Sequence, residues 1–428
     1  MQVFKYPEKS EWASLLQRPA MSFEDIEARV KPVMEAVKAE GDKALSRFTS
    51  QFDGVELSAF EVTEEEFEEA SSLVSDELKE SINIAKENIL VFHMAQKEGV
   101  EKIETMPGVT CWRKSVAVQK VGLYIPGGTA PLFSTVLMLA VPAVIAGCEE
   151  LVLCTPPNKE GKVHPAILFA ARISGIQKVF KVGGAQAVAA MTYGTETVPS
   201  VYKIFGPGNQ YVTAAKQLAA KSGVAIDMPA GPSEVAVWAD DTANPAFVAA
   251  DLLSQAEHGV DSQVLLVSTS ETLIERVQEA VAEQLSVLPR KEIAEKALEN
   301  SRSILVQNEA EALELINEYA AEHLILALKY AADVAEQIIN AGSVFIGHYT
   351  PEAAGDYASG TNHTLPTYGY ARNHSGVSLD SFYRKITFQH ITKEGLQELG
   401  PHVENMAEAE ELAAHKNAVT VRLNAIKQ

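Results

Sequence analysis

Between Val121 and Phe205 short runs rich in β-branched and aromatic residues alternate with helix-length segments, and the runs end in glycine- or proline-containing turns. Val121–Ile125 leads into Pro126-Gly127-Gly128, Glu150–Cys154 into Pro156-Pro157, Val179–Val182 into Gly183-Gly184, and Tyr202–Phe205 into Gly206-Pro207-Gly208-Asn209. Strands that alternate with helices at this spacing imply a parallel sheet covered on both faces. The connector Asp227-Met228-Pro229-Ala230-Gly231-Pro232-Ser233 closes the series, and a second one follows. Its strands are expected at Glu234–Trp238, Val264–Val267, Ile304–Val306, Leu324–Leu328 and Ser343–Ile346.

The expected fold is therefore α/β: two similar Rossmann-like domains that lack a standard GxGxxG, with small N-terminal and C-terminal segments. Residues 1–21 are too few to hold a core. Residues 22–120 together with 234–376 are assigned to the first α/β domain, 121–233 to the second, and 377–428 to a C-terminal segment. Ser22 is expected to open a helix to about Lys38, and Thr63-Glu64-Glu65-Glu66 to form a capping box. Leu78, Ile82, Ala85, Ile89 and Phe92 keep the spacing of an amphipathic helix, with His93 beside the stripe as a structural residue. Residues 347–376 break the alternation with a polar, aromatic-rich stretch, and a final helix is expected from about Met406, carrying Glu411 and His415 four apart.

Fifty-seven acidic against 36 basic residues give a formal charge of −21. Such a field repels nucleic acid and anionic membranes, so neither is expected as a partner. The longest apolar run, Val136–Ala146, is too short to span a bilayer and contains Pro142. The N-terminus lacks the features of a signal peptide, and Cys111, Cys148 and Cys154 show no metal-type spacing. Together these features predict a cytoplasmic protein.

Several groups are candidates for chemistry. The glycine turns sit where backbone N–H groups at a helix start can receive phosphate, although each also reads as a plain tight turn. Asn244-Pro245 caps a helix expected to run to Gly259, on which Asp251, Gln255 and His258 share one face. That face reads either as solvated or as half of a polar site. Gln255, His258, Asp356 and His415 offer the N and O donors that zinc accepts, but the gaps between them are too long for spacing to decide. Glu322-His323, at the edge of a buried strand, reads as an acid–base pair or as a helix-end pair. Cys154 ends a buried strand and Cys148 follows an apolar helix, which suits small core residues better than nucleophiles.

Taken together, the passages VGLYIPGGTAPL (121–132), VGGAQAVAA (182–190), FGPGN (205–209), DMPAGPSE (227–234), LLSQAEHG (252–259), AAEHL (320–324), GDYASGTNHTLPT (355–367) and AAHKNAVTVR (413–422) resemble the histidinol dehydrogenase family over essentially the whole chain. The resemblance implies oxidation of L-histidinol through L-histidinaldehyde to L-histidine with two NAD+ and one Zn2+ per subunit. It implies that Gln255, His258, Asp356 and His415 ligate the metal. Ser233, His323, His363 and Glu410, with those ligands, would contact substrate, while Tyr124, Gln186 and Asn209 would bind the cofactor. His323 would act as general base and Glu322 would activate water, with zinc orienting the substrate. It further implies a homodimer in which the C-terminal segment crosses to the partner, so that Glu410 and His415 serve the neighbouring site. Asp251 is left as a partner for an imidazole N–H or as a solvated carboxylate. The alternative within the same chemistry is a zinc- and NAD-dependent dehydrogenase of a related amino alcohol.

Overall fold

The strands of the first series, Lys120–Tyr124, Glu150–Thr155, Lys178–Lys181 and Lys203–Phe205, pair in parallel, and the short strand Ala225–Ile226 completes their sheet. Their spatial order is third, second, first, fourth, fifth. In the computed structural model, which describes residues 1–19, 23–127, 130–229 and 231–427, the second series repeats that order. Its strands are Glu234–Ala239, Gln263–Ser268, Arg302–Leu305, His323–Ala327 and Ser343–Ile346, and Gln2–Lys5 joins as an edge beside Arg302–Leu305. Two parallel sheets with one winding order are thus present, as the alternation predicts. Ser22, Gly128 and Ala230, on which parts of the sequence reading fall, lie outside the described residues.

Both sheets are covered on both faces, which is why their central strands read as unbroken apolar runs: Val235–Ala239 and Val264–Val267 are all buried. The helix Phe133–Ala146 is buried all round from Ser134 to Ala143, so it shows no polar face. Pro142 sits within it and has no N–H to give the carbonyl of Met138, one turn back. The Asn362 side-chain amide donates to that carbonyl instead, at 2.6 Å. The proline thereby creates an anchor for the polar stretch 347–376.

The helices before residue 95 are placed differently from the expectation. Phe23–Glu40 packs on Gly184–Tyr193 and Gln210–Lys221, Glu64–Leu73 on Pro165–Ile173, and Asp76–Met94 on Phe133–Ala146. They cover the five-stranded sheet rather than the sheet of 234–346. Phe67, Ile82 and Ile89 share their core with Val121 and Leu123, so burial of this stripe and not chain proximity sets the grouping. The Thr63 capping box forms as predicted. His93 is fully buried with Nδ1 2.8 Å from the Ile89 carbonyl, as a structural histidine.

All of this lies in one compact unit, Met1–Ala95 with Val118–Phe382. A second unit comprises Gln96–Ala117 and Tyr383–Gln428. Within it the strands Lys102–Met106, Val109–Ala117 and Tyr383–Ile391 form an antiparallel sheet, and helices Lys393–Ala409 and Ala413–Lys427 pack on each other. The single final helix of the sequence reading is therefore two. Glu411, with φ of 59°, adopts the left-handed conformation and breaks the run between Glu410 and His415.

Candidate active site

Glu322 and His323 enter the amino end of the strand His323–Ala327, beside Glu234, the first residue of the neighbouring strand. The Glu234 N–H donates to Glu322 Oε2 at 2.9 Å, and the Glu234 carbonyl lies 3.4 Å from His323 Nδ1. A carbonyl can only accept, so Nδ1 carries the proton of that contact and Nε2 is left as the proton-accepting atom of a neutral ring. The helix Glu352–Tyr357 brings in Glu352 and Asp356, which at i, i+4 share one face. Glu352 Oε1 lies 3.5 Å from His323 Nδ1, Glu322 Oε2 3.7 Å from the same atom, and Asp356 Oδ1 3.5 Å from Nε2. Gln255 is fully buried beneath them. With its amide nitrogen toward Glu352 Oε1 it donates to that carboxylate, and its oxygen accepts from Glu234 N–H at 3.3 Å.

Three carboxyl groups thus surround one imidazole in a buried place. Burial pushes the Glu322 carboxyl up to about 8 and that of Glu352 well above the carboxylate range. Burial also works to discharge His323, but Glu352, Glu322 and Asp356 override it and hold the ring up to about 10. The His323 ring, 3.5 Å away, holds the Asp356 carboxyl below its ordinary value against burial, with His363 and His258 adding to the effect. His323 Nε2 and Glu352 Oε2 are buried without a hydrogen-bond partner. Among the described residues, donor atoms of His323, Glu352 and Asp356 lie within 4.8 Å of one another. A buried, acid-rich cluster with two orphaned donor atoms fits a bound cation, and its imidazole, carboxylate and amide donors suit a divalent transition metal.

A cleft of about 370 Å³ opens onto this cluster, lined by Ser233, His258, Glu322 and His363 on one side and Gly206–Asn209 on the other. His363 donates from Nδ1 to the Asp356 carbonyl at 2.7 Å, which leaves Nε2 to accept from Thr135 Oγ1 at 3.0 Å. A second cavity, of about 490 Å³, is lined by Asp53, Tyr124, Gly184, Gln186 and Asn209. Tyr124 accepts the Gly184 N–H at 3.1 Å, and Asn209 caps its helix by accepting from the N–H groups of Tyr211 and Val212. Asn209 lines both spaces, so they meet at the turn that it ends. The turn is braced by a buried pair: Asp227 accepts from the N–H of Gly206 at 2.8 Å, and Lys216, paired to Asp227, donates to the Gly206 carbonyl at 2.9 Å. Gly206 has φ of 135°, and a Cβ there would stand 2.1 Å from the Tyr124 carbonyl oxygen, so only glycine fits.

The family described as histidinol dehydrogenase matches residues 16–423. This chain belongs to the histidinol dehydrogenase family. A histidinol dehydrogenase of Bacteroides thetaiotaomicron is 64% identical over 427 residues, covering 100% of both chains. One from Escherichia coli is 52% identical over 417 residues, 97% of this chain and 95% of the relative. The crystal structure of histidinol dehydrogenase from Elizabethkingia anophelis superposes with a TM-score of 0.98 at 56% identity, covering 100% of this chain and 99% of that one. Membership in the histidinol dehydrogenase family makes the chain an oxidoreductase of histidine biosynthesis.

Of the residues singled out in the sequence for a histidinol dehydrogenase site, Gln255, Glu322, His323 and Asp356 come together in the buried cluster, with Ser233, His258 and His363 at the cleft. The helix carrying Gln255 ends at Ala256, not Gly259, and His258 follows in a turn where its N–H reaches the Gln255 carbonyl at 3.2 Å. Asp251 meets no imidazole; burial pushes it up to about 7, and the backbone N–H of Glu352 is its partner. Glu410 and His415 belong to the second unit, where both are exposed. Cys148 and Cys154 are poor nucleophiles, since burial pushes the Cys148 thiol up to about 12 and that of Cys154 higher still. Glu352 and Glu234 were missed. The i, i+4 spacing of Glu352 and Asp356 after Pro351 was the available signal for the first; Glu234 acts through its backbone and gave none.

Proposed function

We propose that this chain oxidises L-histidinol through L-histidinaldehyde to L-histidine, with NAD+ as oxidant and one Zn2+ per subunit. The observation that carries the reading is the buried Glu322–His323 pair, whose Glu322 lines a cleft that shares Asn209 with the Tyr124–Gln186 cavity. When bound, NAD+ supplies the hydride acceptor, and Zn2+ supplies positive charge that orients the substrate and offsets the carboxylates around His323. His323 Nε2 takes the hydroxyl proton as the carbinol C–H leaves as hydride, which yields the aldehyde. Glu322 then takes a proton from the water that adds to the aldehyde carbon while His323 returns its proton to the carbonyl oxygen. The resulting hydrate gives a hydride to a second NAD+ and a hydroxyl proton to His323, which yields the acid. Gln255, His258 and Asp356, with His415, would hold the ion. His323 belongs to the closest donor cluster but is left out of that set, because a base must keep its lone pair.

The region 121–233 is the cofactor side in this reading, and Glu410 and His415 serve the site of a second subunit. Their exposure, and that of Ile103, Ile386, Phe388, Ile391 and Met406 in the same unit, supports a homodimer built through residues 377–428. Three free cysteines support a reducing, cytoplasmic setting, and among the described residues no helix is long and apolar enough to cross a membrane. Progress curves with limiting L-histidinol test the reaction. Two NADH per histidinol are expected; one or none would refute the four-electron oxidation and favour a related amino alcohol as substrate.

A further inference from the structure

Arg18 stands outside the cleft, at the end of the N-terminal arm, with a side chain only 10% exposed. Its Nε meets Glu234 Oε2 at 2.6 Å, and its Nη2 meets Glu234 Oε1 at 3.1 Å and the Tyr319 carbonyl at 2.6 Å. The guanidinium lies 4.0 Å above the Tyr319 ring centre. The Glu234 carboxylate is completed by the Tyr368 N–H at 2.9 Å and the Tyr319 hydroxyl at 3.4 Å, while that hydroxyl also reaches Gln263 at 2.9 Å. These donors come from the N-terminal arm, from the helix end just before the acid–base pair and from the polar stretch 347–376.

The backbone of the same residue engages the acid–base pair. Its N–H holds Glu322 and its carbonyl faces His323. Tyr319 begins the short link to that pair, through Ala320 in the left-handed conformation. One guanidinium therefore ties together the entrances of the two strands that present the acid–base groups. A planar fork with fixed donor directions can hold two acceptors in register, which an ammonium cannot.

We infer that Arg18 is a positioning residue for proton transfer: through Glu234 and Tyr319 it sets where Glu322 and His323 stand. The inference rests on the activity proposed above. Because Arg18 does not touch the cleft, its loss displaces the reacting groups without removing a binding contact.

The test is the steady-state kinetics of the full-length R18M and R18K enzymes, with folding checked by circular dichroism. R18M is expected to lower kcat roughly 10²-fold, the scale of a small misplacement of catalytic groups, while KM for histidinol and NAD+ changes less than about 3-fold. R18K, which keeps the charge but not the fork, is expected to fall between R18M and the unaltered enzyme. Guanidinium at millimolar concentration should raise the kcat of R18A by refilling the vacated site. A folded R18M with unaltered kcat and a lowered melting temperature would overturn the inference, leaving Arg18 a purely structural clamp. If R18M does not fold, R18K decides, and wild-type kcat there has the same consequence. The unaltered enzyme's NADH yield in the same assay keeps the two ideas apart: no turnover there refutes the activity, whereas full turnover with indifferent Arg18 variants refutes only the positioning role.

Discussion

Asp53 is placed where stability and function pull against each other. It ends the turn Thr49–Asp53, and its Oδ2 is buried without a hydrogen-bond partner beside the cavity of Tyr124, Gln186 and Asn209. Burial pushes its carboxyl from 3.8 up to about 6. The folded protein then holds this proton more tightly than the unfolded chain. The associated stability is fully present below about pH 4, is lost as the pH rises toward 6, and is absent above. At about 1.4 kcal/mol per unit a shift of roughly two units would give about 3 kcal/mol, but Asp53 is only partly buried, and solvent screening reduces this to about 1–2 kcal/mol. Asp53→Asn removes the charge and keeps the shape, so it should stabilise the protein by up to that amount at pH 8. For a chain of 428 residues this is a rise of about 1–2 °C in melting temperature. At pH 5 the gain should shrink to roughly half, because the native carboxyl is by then mostly protonated. Thermal melts of both proteins at pH 5 and pH 8 measure this. An orphaned carboxylate oxygen facing the cavity proposed for NAD+ is suited to a hydroxyl donor, so the same variant should raise the KM for NAD+. No added stability at pH 8, or an equal gain at both pH values, would refute the reasoning.

Two further outcomes bear on the metal and the subunit arrangement. His323→Ala should slow the first oxidation on the order of 10²-fold or more yet keep its metal, whereas Asp356→Ala should lose the metal on gel filtration; metal analysis of both decides, and loss from the His323 variant would put His323 among the ligands. A His258→Ala subunit mixed with a His415→Ala subunit should recover activity that neither homodimer has, and no recovery in verified heterodimers would mean that each chain uses its own His415.

The alternation of short apolar runs with helix-length segments was enough to define both sheets, because a strand buried on both faces must be apolar throughout and its turn must admit glycine or proline. What the N-terminal helices cover was not legible. Their apolar stripes say that they are buried on one side, and two sheets of the same kind offered themselves as partners. The site divided along similar lines. Residues proposed to do the chemistry through their side chains, such as His323 and Asp356, belong to motifs, whereas Glu234 meets Glu322 and His323 through its peptide group and any residue type has one. The helix from Pro245 looked like a complete polar face in sequence, but the chain leaves the helix after Ala256, and so Gln255 goes into the cluster while His258 goes to the cleft.

The position of the proposed acid–base pair, Glu322 and His323, departs from the usual habit of α/β sheets, in which ligands gather at the carboxyl ends of strands. The first sheet follows that habit: Tyr124 ends its strand, and Gly206 follows Phe205 at the end of the next. Glu234 and His323 instead begin their strands. Chain connectivity accounts for this. Residues 227–233 run from the carboxyl end of Ala225–Ile226 directly to the amino end of Glu234–Ala239, and a link of that length spans at most about 25 Å. The carboxyl edge of one sheet is thereby held against the amino edge of the other, and the cleft between Asn209 and Ser233 is where the two edges face. In the proposed reaction, a cofactor seated by the first sheet's turns is approached by a base from the entrance of the second sheet's strands. At that entrance, the peptide N–H groups that no neighbouring strand takes up remain free to hold a carboxylate such as Glu322.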